Sequence, residues 1–113
     1  MKLVIAIIQP YRLDEVKEAL YAADIHLITV SEVLGHGRQK GTTEVYRGNH
    51  ESGNLLRKIR LEIAVNDSYL DPCLDALQKG ARTGELGDGK IFVYNLEQCI
   101  RIRTGECGEA AIG

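Results

Sequence analysis

The sequence predicts an α+β domain built from two successive strand-helix-strand units, and three observations predict it. Short branched apolar runs recur at Leu3 to Ile8, Leu27 to Leu34, Ile59 to Val65 and Ile91 to Leu96. Two amphipathic stretches with helical spacing separate them, and one long glycine-containing stretch divides the first unit from the second. A chain of 113 residues has the length of one domain, 1–113, with a single core.

Leu3 to Ile8 is stopped by Gln9-Pro10 and reads as a buried strand at the sheet centre. From Arg12, the residues Leu13, Val16, Leu20 and Ala23 fall on one side and Asp14, Glu15, Lys17 and Glu18 on the other, predicting a helix over 12–24. Leu27 to Leu34 has the character of a second strand, ended by Gly35. Residues 35–56 hold five glycines and no sustained periodicity, so they read as a loop. Loops beyond about 15 residues are uncommon in compact domains. This one is either an extension of a hairpin or a recognition element, and its size in so small a domain favours recognition.

Ile59, Leu61, Ile63 and Val65 then alternate with Arg60, Glu62 and Ala64, predicting a strand with unlike faces. Leu70, Cys73, Leu74, Leu77 and Ala81 mark the second helix, with Asp67 or Ser68 as N-cap and Pro72 in the first turn. Ile91 to Leu96 supplies the fourth strand. Two such units assemble most simply as a ferredoxin-like double βαβ sandwich, with a four-stranded antiparallel sheet and both helices on one face. The other face is left bare, which predicts a homo-oligomer. The segment 99–103 is expected to add an edge strand that crosses to a neighbour.

The chemistry-bearing stretch is Arg82-Thr83-Gly84-Glu85-Leu86-Gly87-Asp88-Gly89-Lys90. Glycines allow close backbone approach, and exposed amides with one lysine suit a polyphosphate. A P-loop requires a helix after the lysine and Ser/Thr beside it, whereas Ile91 follows here and opens a strand, so this is not a Walker hydrolase. In Cys99-Ile100-Arg101-Ile102-Arg103, strand alternation places both guanidinium groups on one face. Together they suggest one anion site.

Composition limits the alternatives. With 44% hydrophobic and 27% charged residues the chain reads as an ordinary globular protein, and its formal charge of −2 argues against a broad nucleic-acid footprint. Met1 to Pro10 is too short for a signal peptide or membrane span, so a cytoplasmic location is expected. Cys73, Cys99 and Cys107 are odd in number and lack a CxxC pair, which predicts free thiols. With His26, His36 and His50 they show no zinc-like spacing. No nucleophile with a neighbouring base and no carboxylate pair for two metals can be read, so no catalytic residue is assigned. Central strands without aromatics argue against a nucleic-acid module.

Three separated motifs carry a resemblance that spans essentially the whole chain. Thr83-Gly84-Glu85-Leu86-Gly87-Asp88-Gly89-Lys90-Ile91-Phe92-Val93 is similar to the C-terminal signature of the PII signal-transduction proteins of nitrogen regulation. Arg101-Ile102-Arg103-Thr104-Gly105-Glu106 resembles their closing segment, and Gly35-His36-Gly37-Arg38-Gln39-Lys40-Gly41 the start of their long T-loop. The resemblance implies a homotrimer with a T-loop at about 37–55, a phosphate-binding loop at about 82–90 and a C-terminal loop at about 102–109. It further implies three intersubunit clefts that bind ATP or ADP, and 2-oxoglutarate when Mg-ATP is present.

By that resemblance, Thr29, Gly35, Gly37, Arg38, Gly87, Asp88, Gly89, Lys90, Arg101 and Arg103 bind nucleotide, with Arg101 and Arg103 supplied by the neighbouring subunit. Asp88 has an equally open reading as the residue that fixes the turn. Gln39, Gly41, Lys58 and Gly87 would meet 2-oxoglutarate, and Gln39 would ligate Mg2+, for which neutral oxygens with phosphate oxygens are suitable. Tyr46, Arg47, Gly48, Asn49, His50 and Glu51 would meet a partner: an ammonium transporter, another membrane transporter or a nitrogen-metabolism enzyme. A transporter partner implies recruitment to the membrane, and no direct nucleic-acid partner is implied. The T-loop is atypical, because Glu51 occupies the position of the tyrosine that accepts a nucleotidyl group in many members. Gln9 and His36 also depart from the family pattern, near the implied cleft. A regulator of a transporter or enzyme outside nitrogen metabolism and a slow ATP-hydrolysing enzyme are the alternatives.

Overall fold

The computed structural model describes residues 1–36 and 55–113. The described chain runs β1 (Lys2–Ile8), α1 (Leu13–Ala22), β2 (Thr29–His36), β3 (Leu55–Val65), α2 (Leu70–Ala81), β4 (Lys90–Asn95) and a final turn of helix, α3 (Glu109–Ile112). The four strands form one sheet in the order β2-β3-β1-β4, and every neighbouring pair is antiparallel. This is the ferredoxin-like arrangement that the alternation of strand and helix patterns predicts, with β1 in the interior.

Period-two alternation divides the sheet into two faces. Val4, Ala6 and Ile8 of β1 and Ile59, Leu61, Ile63 and Val65 of β3 are buried together with Val16 and Leu20 of α1 and Cys73, Ala76, Leu77 and Ala81 of α2. The helices meet at Gly80, where a Cβ would lie 2.6 Å from the Val16 Cα. No larger residue permits that approach without moving a helix. Arg12 fastens the same contact, its Nε donating to the Gly80 carbonyl at 2.9 Å.

Several boundaries differ from expectation for identifiable reasons. The first helix begins at Leu13 after a single 3-10 turn at Pro10–Arg12, and it ends at Ala22. Its stop is a Schellman motif: Asp24, at φ 64°, donates its amide to the Tyr21 carbonyl, and Ile25 donates to Leu20. Ile25 and Leu20 are both in the core, so the capping residue is fixed by a hydrophobic contact. Asp67 and Ser68 do not cap α2. They form a 3-10 turn, the N-cap position is Tyr69, and the Asp67 carboxylate instead accepts from the Met1 ammonium at 2.9 Å.

The second strand is Thr29–His36, two residues later than expected, and the third begins at Leu55, before the visible alternation. Both follow from their pairing, which runs from Thr29↔Glu62 to His36↔Leu55. The segment 99–103 is not an edge strand. Only Ile100 bridges to Cys107, and the chain turns at 102–104. The Gly105 amide donates to the Arg101 carbonyl at 2.7 Å, closing that turn.

Candidate functional site

An open cleft of about 480 Å³ lies where three distant segments meet. Ile7 comes from the end of β1, Gly35, His36, Leu56 and Lys58 from the far end of the β2–β3 pair, and Gly87, Gly89, Lys90 and Phe92 from the glycine loop and β4. Sheet pairing makes this meeting unavoidable, since Ile7 pairs with Lys90, and Gly35 with Leu56. The walls mix apolar side chains with glycine backbone and two lysines. Lys58 Nζ lies 3.4 Å from the Gly87 carbonyl, which it donates to, and burial lowers the Lys58 pKa. A partly desolvated ammonium is stabilised by an incoming anion.

The glycine loop is held by its own side chains. Asp88 accepts from the Thr83 amide at 2.8 Å, from the Gly84 amide at 2.9 Å and from the Thr83 hydroxyl. The Thr83 side-chain hydrogen bond is the chief reason that the Asp88 pKa is lowered; desolvation opposes it, and the two backbone amides and the Arg12 charge add to it. Gly89 has no alternative residue: its φ is 104°, and a Cβ there would lie 1.7 Å from the Ile7 carbonyl oxygen. That contact seats the loop on the end of β1.

Of the sequence-predicted residues, Gly35, Lys58, Gly87, Gly89 and Lys90 are brought together in this cleft. Asp88 lines the adjoining cavity, beside Gln78, Ala81 and Arg82 of the α2 end, which shares Ile7, Gly89 and Lys90 with the cleft. Thr29 lies in a third depression of about 390 Å³ with Leu27, Ile28, Glu62 and Cys99, which shares no residue with the cleft. Arg101 belongs to the C-terminal turn, 3.4 Å from Glu106, and donates to the Ala110 and Ala111 carbonyls. Arg103 is exposed in the same turn, so strand alternation does not set the direction of the two guanidinium groups. Gly37, Arg38, Gln39, Gly41, Tyr46, Arg47, Gly48, Asn49, His50 and Glu51 lie outside the described residues.

Sequence reasoning missed the apolar part of the cleft, Ile7, Leu56 and Phe92, and the Glu62 that lies beside Thr29 in the third depression. Their signal is cross-strand register, which a one-dimensional pattern does not carry. Gln9 is buried and does not line the cleft, whereas His36 does. Among the described residues no group of three or more His, Cys, Asp or Glu side chains could hold a metal ion, and no helix is long and apolar enough to cross a membrane. All three cysteines are free, with Cys73 buried.

Fold and site together define a small ferredoxin-like domain whose glycine loop and lysines form an anion-suited cleft at the root of a long interstrand connection. Comparison with known proteins makes the class specific. The family model of nitrogen regulatory protein P-II matches residues 1–106. A nitrogen regulatory protein P-II of Rhizobium etli is 51% identical over 112 residues, covering 99% of this chain and all of that protein. Nitrogen regulatory protein GlnK of Escherichia coli is 52% identical over the same share of each chain, and a P-II protein of Rhodospirillum rubrum is 51% identical. The chain belongs to the P-II family, a family of signal-transduction regulators.

Proposed function

We propose that this protein is a non-enzymatic, homotrimeric regulator of nitrogen metabolism. In this reading it binds ATP or ADP in clefts between neighbouring subunits, binds 2-oxoglutarate with Mg-ATP, and reports that state through its T-loop. The observation that carries the reading is the contact between Lys58 and the Gly87 carbonyl. It ties the strand that leads out of residues 37–54 to the glycine loop suited to phosphate, so one ligand meets both. Gly87, Gly89 and Lys90 would take the phosphates, and Lys58 a 2-oxoglutarate carboxylate, by charge-assisted hydrogen bonds.

The trimer reading is supported by two further observations. Thr29, Arg101 and Arg103 lie on surfaces apart from the cleft, as a wall donated to the next subunit would. The sheet face away from the helices carries Phe92 and Tyr94, 45% and 56% exposed, and three such faces would cover one another around an axis. Magnesium, when bound, would offset the repulsion between triphosphate and dicarboxylate. Gln39 is its proposed protein ligand by residue type.

Without a tyrosine at position 51, nucleotidylation at that position is excluded by chemistry. The target proposed first is an ammonium transporter, reached by Arg47, with the protein otherwise in the cytoplasm. Affinity capture with and without ATP and 2-oxoglutarate tests that target, and retrieval of a different transporter or enzyme alone would replace it. The ligand reading is tested by titration calorimetry: 2-oxoglutarate should bind only with ATP and magnesium together. Equal binding with ADP, or after chelation of the metal, would overturn it. Steady-state ATP turnover near about 1 per second, typical of enzymes, would overturn the non-enzymatic assignment.

A further inference from the structure

The carboxylate of Asp88 is turned towards its own loop. It is an acceptor-only group with three donors around it, the Thr83 amide and hydroxyl and the Gly84 amide. These bonds clasp residues 83 and 88 together across the base of the loop. Asp88 also lines the cavity on the α2 side with Gln78 and Arg82, and it does not line the cleft that holds Lys58. A carboxylate facing a polyphosphate would repel it, and this placement keeps the negative charge behind the glycines.

The other end of the loop has a brace. Arg12, with its side chain only 23% exposed, donates from Nε to the Gly80 carbonyl in the last turn of α2, two residues before Arg82. Its guanidinium also lowers the Asp88 pKa, as the smallest of the causes acting on that carboxylate. The loop is therefore fixed at its departure from α2 by Arg12, across its base by Thr83 and Asp88, and at its return by Gly89 against Ile7.

We infer that Asp88 and Arg12 are positioning residues, which set the 83–89 loop in its ligand-ready conformation and so raise affinity for a polyphosphate without touching it. This rests on the reading that the cleft takes a nucleotide. Preorganisation acts by removing the ordering cost from the binding step. Asparagine at position 88 would present one carbonyl oxygen and an amino group to three donors, so the clasp would open.

The test uses the full chain in its native assembly, well below its unfolding temperature, with ATP as titrant in a calorimeter. Asp88→Asn and Thr83→Val should each raise Kd by about tenfold, the loss expected for charge-assisted hydrogen bonds. Thr83→Ser, which keeps the hydroxyl, should stay close to wild type. In the ligand-free protein, amide hydrogen exchange at Thr83 and Gly84 should accelerate in Asp88→Asn. Arg12→Met should weaken binding as well, and its effect should be non-additive with Asp88→Asn in a double-mutant cycle.

Unchanged ATP affinity in folded Asp88→Asn and Thr83→Val proteins would overturn the inference alone. Lost affinity with unchanged exchange at Thr83 and Gly84 would also overturn it, by making Asp88 a direct ligand. Full additivity would remove Arg12 from the scheme. Wild-type protein that binds no ATP would overturn the underlying nucleotide reading, and this inference with it.

Discussion

Cys73 shows how burial sets chemistry at single residues. It sits in the core on α2, and desolvation pushes its thiol up to about 11 from 9.0. A thiol pKa raised in the folded state contributes stability that is complete below 9.0 and is lost as pH rises through about 11. The linked loss approaches about 3 kcal/mol. The expected outcome is a chain whose Cys73 resists a disulfide reagent until unfolding, while exposed Cys107 reacts in the native state. Thiol counting before and after denaturant checks this, and native reaction of all three would contradict it. Free thiols were legible from an odd count without paired spacing. Lys58 was only partly legible, since its charge is in the sequence but the burial that lowers its pKa arises from the strands around it.

Among the elements, the glycine loop is the most tightly specified. Gly89→Ala would force a Cβ onto the Ile7 carbonyl and a left-handed backbone onto alanine, costing roughly 2–3 kcal/mol from strain of this kind. The expected result is a lowered denaturation midpoint together with lost ATP binding. A midpoint equal to that of wild type would count against it. The alternation of Ile59, Leu61, Ile63 and Val65 made the latter part of β3 readable, because one of its faces is buried from Ile59 onward. The bounds of β2 were not readable, because its exposed edge position leaves the pattern weak and its extent is set by its partner. The 99–103 segment misled for a related reason: Ile100-Arg101-Ile102-Arg103 alternates, but Gly105 and Gly108, both with positive φ, turn the chain there. Those two glycines were the signal for a turn.

For the whole molecule, the sheet face away from the helices is the proposed assembly surface. Tyr94 pairs with Leu3 on that face and lies outside the cleft, so it separates assembly from direct ligand contact. In the proposed trimer, Tyr94→Glu would bury a carboxylate without a partner, a cost of several kcal/mol. Sedimentation should find monomers with an unchanged far-ultraviolet spectrum, and ATP binding should fall with assembly because the second wall is gone. Persistence of the trimer in this variant would remove the open face from the interface. The sandwich topology was legible, since two strand-helix-strand patterns leave few ways to pair. The division of site residues between two depressions was not, because both lie on the open face at opposite ends of the strands, Ile7 and Lys58 at one and Leu3 and Glu62 at the other, and only the pairing register separates them.

The cleft shares its rungs with the hairpin that carries residues 37–54: Gly35 and Leu56 pair directly beside His36 and Leu55, where the described strands end and resume. No relay through the core is needed between the two, and whatever free energy couples them must act in both directions. In the proposed reading, a target that binds residues 37–54 is then itself an effector of the cleft. Its arrival would change how tightly small molecules are held there by the same factor as they change its own binding, so abundant target would retune the sensor's threshold.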